Sequence, residues 1–423
     1  MRLIIIDRPA ESRRHFWPVA LSRPVWELRC GITSLGEKLQ ARVGATDVAY
    51  FLPEYMAEVY RARTDRLVND VSSLAGDLLI VDARVKADSF TIPSRSEVGV
   101  DEQGQILYVR VMAGDSKKLC GGTLDAFLES AKATLPNVPC KLATWNYTWD
   151  LILASPHQIT ADFAAAGRSG IEGTVEEPSA IRGSKSDVYI ARGAKIHPMV
   201  VLDAEHGPIY IEEDVEVHPF TRIEGPCYIG KKSILLGAKC REGNSIGPWC
   251  RVGGEVEESI IQGYSNKYHD GFLGHAYVGE WVNLGALTTN SDLKNDYTNV
   301  SVMLDGKHCI DTGSTKVGCL IGDHTKTSVG VFFNTGSYVG AMGILMSTGK
   351  PLPKFIPSFS WFVEGVVTKG FGRKSLYETA ATAMSRRKCR WTEADRAMWD
   401  AIFEMTAGPR DEAVKKGRKA MMK

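Results

Sequence analysis

The chain has 423 residues, and its 51 lysines and arginines nearly balance its 50 aspartates and glutamates, so the net charge is close to zero. Nucleic-acid binding needs a concentrated basic surface, and the one basic run, residues 415–419, is predicted to be a solvated end. Nine scattered cysteines without a C-x-x-C pair argue against a zinc site or a disulfide framework. No stretch approaches the roughly 20 apolar residues of a membrane span. We therefore expect a soluble cytoplasmic protein of two or three domains.

Residues 1–145 alternate short β-rich runs with helical patterns, which indicates an α/β domain with a largely parallel sheet. The predicted strands are residues 3–6, 48–52 and 78–81, the predicted helices are residues 34–43, 54–63 and 123–133, and a hairpin is predicted over residues 91–112. Residues 146–183 are predicted to hold a connecting helix, up to about residue 166, and then a Gly- and Pro-containing linker over residues 170–183.

An aliphatic or similar residue recurs at every sixth position through much of residues 184–359. The positions are Ile190, Ile196 and Leu202; Ile211, Val217, Ile223, Ile229 and Leu235; Val278 and Leu284; and Ile321, Thr327, Phe333, Val339 and Leu345. A period of six cannot keep to one face of an α-helix, but it is the signature of a β-helix in which about three hexads close each coil. We predict a left-handed parallel β-helix over residues 184–359, followed by a helical extension over residues 360–423.

The β-helix pattern is interrupted around residues 254–274 and 289–315, and polar residues gather near the first interruption. Lys267, His269 and Asn283 are predicted to lie at coil edges. A histidine at such an edge can take a proton from an amine that attacks a thioester, because its pKa lies near neutral pH. The alternative is a histidine that only satisfies backbone carbonyls at a corner, and composition alone does not separate the two.

Two segments near the first interruption carry a motif: Ser265-Asn-Lys-Tyr-His269-Asp-Gly-Phe272-Leu-Gly274 and Asn283-Leu-Gly-Ala286. They stand in register with the patterns S-K-x-G-H-x-x-Y-L-G and N-I-G-A-G. In this they resemble the acetyltransferase half of the bifunctional bacterial N-acetylglucosamine-1-phosphate uridyltransferase/glucosamine-1-phosphate N-acetyltransferase family. The stretch is closer still to a variant of that family with a shortened nucleotidyltransferase-like N-terminus. The resemblance implies an acetyl-CoA-dependent N-acetyltransferase acting on an amino-sugar phosphate, in UDP-N-acetylglucosamine biosynthesis.

The resemblance also implies roles for individual residues. His269 falls on the catalytic base, and acetyl-CoA is expected near Ser314 and Val329. The residues expected to bind the sugar phosphate are Arg241, Lys267, Asn283 and Lys294. Phe272 replaces a tyrosine of the family and Ser259 replaces a phosphate-binding lysine, for which Lys267 is expected to compensate. Members of this class are trimers with sites between adjacent β-helices, so a homotrimer is implied.

The opening of the chain lacks the Gly-rich G-x-G-T-R loop of sugar-1-phosphate nucleotidyltransferases, whose N–H groups hold nucleotide phosphates. The arginine-rich residues 13–29, which run into residues 31–38, resemble instead the opening of the variant family. From this resemblance we expect Arg14, Arg23 and Lys38 to bind a nucleoside triphosphate such as UTP, and Asp82 to hold Mg²⁺. The alternative is a degenerate domain whose arginines form ion pairs.

Three functions stay open at this stage. The leading one is the acetyltransferase, fused to an active sugar-1-phosphate nucleotidyltransferase or to an inactive one. The second is a nucleotidyltransferase whose β-helix serves only as a trimerisation scaffold. The third is a non-catalytic ligand-binding or assembly protein.

Overall fold

The computed structural model describes residues 1–422, which form two compact units. The first unit consists of Met1–Phe16, Ser22–Leu28 and Thr33–Asn146. The second unit begins its continuous part at Tyr147 and also includes Trp17–Leu21 and Arg29–Ile32. Among the described residues, no helix is both long enough and apolar enough to span a membrane.

The first unit is built on a seven-stranded sheet in the order β3-β2-β1-β4-β6-β5-β7. The strands are β1 Arg2–Ile6, β2 Val48–Phe51, β3 Leu67–Val68, β4 Leu78–Asp82, β5 Glu97–Val100, β6 Ile106–Val111 and β7 Asn137–Pro139. The helices are α1 Ala10–Arg14, α2 Leu35–Val43, α3 Glu54–Arg61 and α4 Leu124–Thr134. The strands β3, β2, β1 and β4 pair in parallel, and β5 and β6 form the predicted antiparallel hairpin. The predicted α/β domain is thus confirmed.

Two sequence features explain why these elements form where they do. Ser34 caps α2 in a capping box with Glu37, which fixes the start of that helix at the residue the pattern indicates. The strand β1 is fully apolar over Leu3–Ile6 because it is central in the sheet and buried on both faces.

The second unit is a parallel β-helix with three faces. Face A contains β8 Gly170–Ile171, β11 Val188–Ile190, β14 Ile209–Ile211, β17 Cys227–Ile229, β19 Asn244–Ile246, β21 Ile260–Gly263, β24 Tyr277–Glu280, β28 Leu320–Ile321, β31 Tyr338–Val339 and β33 Phe355–Ile356. Face B contains β9 Thr174–Val175, β12 Lys195–Ile196, β15 Glu216–Val217, β22 Asn266–Lys267, β29 Lys326–Thr327, β32 Ile344–Leu345 and β34 Trp361–Val363. Face C contains β10 Ala180–Arg182, β13 Val201–Asp203, β16 Arg222–Glu224, β23 Phe272–Gly274, β25 Thr289–Asn290 and β30 Phe332–Phe333. The strands β18 Ile234–Cys240 and β20 Arg251–Glu257 bend from face B into face C.

The inward residues of each face form a column that runs along the β-helix. On face A the column is Ile190, Ile211, Ile229, Ile246, Ile261, Val278, Ile321, Val339 and Ile356. Nearly all of the predicted hexad residues belong to this core and are excluded from water. Full burial of one aliphatic side chain stabilises a fold by about 1.5–3 kcal/mol, so the columns hold the coils together. The β-helix predicted from the hexads is confirmed.

The linker prediction for residues 170–183 is wrong. The strands β8, β9 and β10 in this segment pair with the next coil, so the segment is the first coil of the β-helix. Its corners carry Gly and Pro, which in sequence look like a linker. The preceding helix, α5 Thr148–Ala166, packs on face A, where Ile159 and Phe163 meet the tyrosines Tyr189, Tyr210 and Tyr228.

The remaining elements decorate the β-helix. A small hairpin of β26 Ser301–Met303 and β27 Cys309–Asp311 protrudes between faces C and A. The chain continues past the predicted end of the β-helix into β34 and an antiparallel β35 Val366–Thr368. Three helices then follow: α6 Arg373–Ser385, α7 Glu393–Met405 and α8 Ala407–Met421. The predicted helical extension is confirmed.

Candidate functional site

His269 lies at the edge between faces B and C, which we call the B–C edge. It sits in the turn between β22 and β23 and is exposed to solvent. Its ring lies beside that of Tyr268, with centroids 5.9 Å apart. The structure therefore places His269 at a coil edge with an accessible imidazole, as the sequence predicted.

Lys267 lies inside the β-helix, although its sequence suggested a substrate contact. It pairs with Val252 in the register of face B and is only 3% exposed. Its ammonium group donates to the carbonyl oxygens of Gly253 at 2.9 Å and His269 at 2.6 Å. Burial lowers the pKa of Lys267 to about 8. This arrangement makes Lys267 a residue that holds the corner carrying His269, and it does not present the amine to a ligand.

The outer surface of face B carries a row of polar side chains on successive coils. Arg251 pairs with Asn266, Asn266 with Asn283, and Asn283 with Lys326. The amide Nδ2 of Asn266 donates to Oδ1 of Asn283 at 3.1 Å. We call Arg251, Asn266, Asn283 and Lys326 the face B row.

A cleft of about 470 Å³ lies between the face B row and helix α6. Its lining includes Asn266, Asn283 and Lys326 on one side and Glu378, Thr382, Arg386 and Arg387 on the other. Arg387 Nη2 donates to Oδ1 of Asn266 at 3.0 Å. The rings of Tyr264 and Trp281 also line the cleft and stack on each other with centroids 4.4 Å apart.

The cleft has an excess of positive charge. Within the described residues, Lys326, Arg386 and Arg387 line it, against the one carboxylate of Glu378. Arg251 is not part of this lining but lies beside it on face B, and its Nη1 donates to the carbonyl oxygens of Lys232 and Cys250. Burial lowers the pKa of Arg387, and repulsion from Arg251 and Arg386 lowers it further. Burial lowers the pKa of Lys326 to about 7, and its ammonium donates to the carbonyl oxygens of Trp281 and His324. Guanidinium groups with polar partners but no carboxylate suit an anionic ligand.

Arg241 lies elsewhere, at the edge between faces C and A. Its Nη1 is 2.6 Å from Oε2 of Glu257, whose other oxygen lies 3.1 Å from Lys316 Nζ. Glu257 is 4% exposed, so this carboxylate is largely withdrawn from water. The predicted phosphate-binding role of Arg241 therefore competes with a carboxylate that already holds it.

A second histidine lies beside this group, and the sequence reasoning missed it. His275 Nδ1 is 2.8 Å from Oδ2 of Asp292, and Nε2 is 3.3 Å from Oε2 of Glu258. Burial lowers the pKa of His275, but the hydrogen bonds to Asp292 and Glu258 outweigh it and raise the pKa to about 9. A buried imidazole held between two carboxylates is protonated at neutral pH and cannot serve as a general base there.

The remaining predicted acetyltransferase residues separate into two regions. Val329 is 65% exposed and lies on the B–C edge, two coils beyond His269. Lys294 and Ser314 lie in the insertion between β25 and β28. Lys294 Nζ contacts Thr298 and donates to the carbonyl oxygen of Asn299, and Ser314 Oγ donates to that of Lys316 at 3.1 Å. The structure thus groups Val329 with His269, and Lys294 with Ser314.

In the first unit, two buried aspartates lie at the carboxyl edge of the parallel strands. Asp82 ends β4, opposite Ile6, and Asp7 follows β1. The order β2-β1-β4 makes this edge a point where strand order reverses, the usual ligand position in open α/β sheets. A cleft of about 510 Å³ opens here, lined by Asp7, Arg8 and the N-terminus of α4.

Both aspartates are held by arginines. Arg13 Nε is 2.7 Å from Oδ2 of Asp7, and Arg84 Nη2 is 2.7 Å from Oδ2 of Asp82. Burial raises the pKa of both carboxyl groups. Arg84 also donates to Oδ1 of Asp82, from its backbone N–H at 2.8 Å and from Nε at 3.1 Å. With both oxygens accepting from Arg84, Asp82 does not fit the predicted Mg²⁺ site, and we assign no step to a metal.

The predicted triphosphate-binding residues occupy different surroundings. Arg14 is exposed at the end of α1, and Lys38 is half-buried in α2. Arg23 is 4% exposed, and its carbonyl oxygen accepts from Arg13 Nη2 at 3.0 Å. The main chain of Arg23 therefore helps to hold Arg13, the partner of Asp7, and the side chain of Arg23 is largely withdrawn from solvent.

The chain combines an α/β unit with a β-helix that carries a polar cleft. The known proteins to which it is similar are transferases. Residues 3–169 match the protein family described as sugar nucleotidyl transferase. The chain is 35% identical over 147 residues to a bifunctional sugar-1-phosphate nucleotidylyltransferase/acetyltransferase of Sulfurisphaera tokodaii, which covers 32% of this chain and 34% of that protein.

Two further relatives carry the name bifunctional protein GlmU. The one from Rippkaea orientalis is 29% identical over 144 residues, 33% of this chain and 30% of that protein. The one from Anaplasma marginale is 27% identical over 215 residues, 49% of this chain and 47% of that protein. The chain thus spans between about a third and about half of the length of these curated relatives. The resemblance predicted from the sequence is confirmed as a similarity to this bifunctional family.

A solved structure titled UDP-N-acetylglucosamine acyltransferase also matches. It shares 14% identity with a TM-score of 0.26, over 60% of this chain and 94% of that one. A likeness this weak supports no argument about the site.

Besides His275, the residues that sequence reasoning missed are Arg251, Asn266, Arg386 and Arg387. Asn266 stands inside the quoted motif, so its position was visible in the sequence. Arg251 was not visible as its neighbour because the coil that joins them has 15 residues, fewer than three full hexads. No sequence signal indicated that α6 would cover face B.

Proposed function

We propose that this chain is an acetyl-CoA-dependent N-acetyltransferase that binds an amino-sugar phosphate in the cleft between the face B row and α6. The observation that carries the proposal is the position of Asn266 and Asn283 in this cleft, on the face that leads directly into the turn with His269. Asn266 and the exposed His269 lie on adjoining parts of one coil, and Asn283 lies on the next coil, which supports a site shared by all three.

The cleft offers the contacts that a sugar phosphate needs. Within residues 1–422, Arg386 and Arg387 in the lining and Arg251 beside it have no ion-pair partner, so a phosphate can pair with them without first breaking an ion pair. The amides of Asn266 and Asn283 suit sugar hydroxyl groups. The faces of Tyr264 and Trp281 stack on neighbouring rings, so these two residues offer ring edges that form an apolar wall of the cleft. We therefore propose that the phosphate binds near Arg251 and Arg387. From the sequence alone, Arg241 and Lys294 were expected to bind it.

In the proposed reaction, His269 takes a proton from the amino group of the sugar as the nitrogen attacks the acetyl carbonyl carbon. A C–N bond forms, the C–S bond of the thioester breaks, and the electron pair leaves with the sulfur of coenzyme A. Acetyl-CoA is proposed to lie along the B–C edge toward Val329. Two coils separate His269 from Val329, about 10 Å at the spacing of β-strands.

The same edge supports the proposal of a homotrimer. Exposed apolar side chains lie along the B–C edge on most coils. Single exposed apolar residues are ordinary, but an aligned stripe of them is typical of an interface. The stripe consists of Met199, Phe220, Leu236, Leu287 and Val329. Burial of this stripe against a second copy would place the neighbouring chain beside His269.

For the first unit we propose transfer of a nucleotidyl group from a nucleoside triphosphate such as UTP to a sugar 1-phosphate. The match of residues 3–169 to the sugar nucleotidyl transferase family supports it, together with the cleft at the carboxyl edge of the sheet. Arg14 and Lys38 remain the proposed triphosphate contacts. A cytoplasmic location fits nine free cysteines.

The test measures release of free coenzyme A from acetyl-CoA with glucosamine-1-phosphate. We expect His269→Ala to lower kcat by about 10²-fold or more, as for loss of a general base. Arg251→Ala is expected chiefly to raise KM for the sugar phosphate. His308→Ala is the matched control, because His308 is also exposed but lies in the distant hairpin loop.

Unchanged release of coenzyme A in His269→Ala would contradict the acetyltransferase mechanism. Release of pyrophosphate from UTP and N-acetylglucosamine-1-phosphate tests the first unit separately. Pyrophosphate release without any release of coenzyme A would favour the nucleotidyltransferase with a scaffold β-helix.

A further inference from the structure

Two histidines lie side by side near the start of the β-helix, far along the chain from the face B row. His197 follows β12 and His218 follows β15, which are adjacent parallel strands of face B. Ile196 pairs with Val217, so the two histidines occupy equivalent positions on neighbouring coils. Their ring centroids are 4.9 Å apart and their planes are inclined by 31°.

Two carboxylates accompany the histidines. Oε2 of Glu216 is 3.5 Å from Nε2 of His218, and Oε2 of Glu176, on the preceding coil, is 3.2 Å from Nδ1 of His197. One possible ligand atom from each of His197, Glu216 and His218 lies within 4.8 Å of the others. The register of the β-helix therefore fixes the backbone positions from which these side chains extend.

We propose that His197, His218 and Glu216 bind a divalent transition-metal ion such as Zn²⁺. Two imidazoles and one carboxylate form a donor set that zinc accepts, with water in the fourth position. Glu176 accepts from the Nδ1 side of His197 and serves as a positioning residue that orients the ring, as carboxylates commonly do for metal-bound histidines.

The geometry requires only a small closure of side chains. Zinc ligands lie about 2.0–2.2 Å from the ion, so tetrahedral ligand atoms are separated by about 3.5 Å. The three donor atoms lie within 4.8 Å of one another, so they must approach by at most about 1.3 Å. His197 and His218 are partly exposed, with side-chain exposures of 22% and 31%, and have room to rotate.

Charge also favours Glu216 as a ligand. Lys195 lies 3.2 Å from Glu176 and neutralises it, whereas His218 is the only ion-pair partner of Glu216 in the described part of the chain. Another group of comparable composition in the described residues, Glu257, Glu258 and His275, differs because Arg241 and Lys316 already pair with Glu257. The bound ion would join two successive coils and stabilise the beginning of the β-helix.

The experiment titrates Zn²⁺ into tag-free, chelator-treated full-length protein in competition with a chromophoric chelator. We expect one tight equivalent in the wild type. The double variant His197→Ala/His218→Ala is expected to lose this equivalent, and Glu216→Gln to bind at least about tenfold more weakly. The control is His206→Ala/His308→Ala, which removes two exposed histidines elsewhere.

Thermal unfolding provides a second measurement that does not depend on activity. Zn²⁺ should raise the melting temperature of the wild type and of the control, and leave that of His197→Ala/His218→Ala unchanged. The proposal is overturned if the wild type binds no zinc, if the His197/His218 variant binds it unchanged, or if the control loses binding equally.

Discussion

His275 lies between the carboxylates of Asp292 and Glu258, and this arrangement predicts how the free energy of unfolding depends on pH. In the unfolded chain the pKa of a histidine is about 6.5, and in the folded protein that of His275 is about 9. The folded pKa is raised, so the contribution is fully present below pH 6.5 and is lost as pH rises through about 9. The shift corresponds to about 3 kcal/mol, because one pKa unit is worth about 1.4 kcal/mol. Little discount for solvent applies, since the His275 side chain is 3% exposed.

The perturbation is His275→Gln, compared with the wild type at pH 6 and pH 9. The difference in stability between the two proteins should shrink by about 3 kcal/mol on going from pH 6 to pH 9. The comparison cancels other groups that titrate in this range, such as Lys267 and Lys326, because both proteins contain them.

The assay is hydrogen exchange of peptides that cover residues 260–280, measured in low urea and corrected for the pH dependence of intrinsic exchange. The matched control is His308→Gln, which removes an imidazole that also pairs with a carboxylate, Asp305, but is 82% exposed. An exposed pair contributes little, so this variant should show almost no effect. Equal pH dependence in the wild type and His275→Gln would refute the reasoning.

Three further predictions concern the β-helix. Ile229→Ala should lower the free energy of unfolding by about 2–5 kcal/mol, because Ile229 is fully buried in the face A column. Ile171 is 44% exposed, so Ile171→Ala should have little effect. Equal losses of stability in urea unfolding would contradict this. Phe220→Ser on the B–C edge should weaken self-association in sedimentation velocity, and Phe371→Ser, equally exposed but elsewhere, should not; an unchanged oligomer in both would count against the stripe as an interface. Gly247→Ala should reduce the yield of folded protein, since a Cβ there would lie 2.0 Å from the carbonyl oxygen of Gln262, whereas Gly408→Ala meets nothing within 4 Å and should fold normally.

The site was only partly predictable, and the reason lies in how coils vary. The motif around His269 and Asn283 could be read because both residues stand in one continuous stretch of chain. Arg241 was assigned from the resemblance to the family, and Arg251 was not considered, because a register along the sequence must assume coil lengths. In the folded protein, Arg251 lies 15 residues before Asn266 and Asn283 lies 17 residues after it. A change of one or two residues in a coil decides which cation shares the row.

Lys267 illustrates the same limit in another way. Its polar side chain and its place beside His269 indicated a surface contact, yet the pairing with Val252 turns it inward. Carbonyl oxygens at the corner satisfy its ammonium there. Side-chain direction in a strand alternates with every residue, so an error of one position exchanges inside for outside.

The sequence by itself determined the β-helix, the α/β unit before it and the exposed histidine at a coil edge. It could do so because strand alternation and a six-residue period act locally and leave a visible pattern. Only the tertiary structure decided that α6 covers face B, that Arg241 pairs with Glu257 and that His197 meets His218. These contacts join residues that are distant in the chain, and their formation depends on coil register and on helix packing, which no local pattern records.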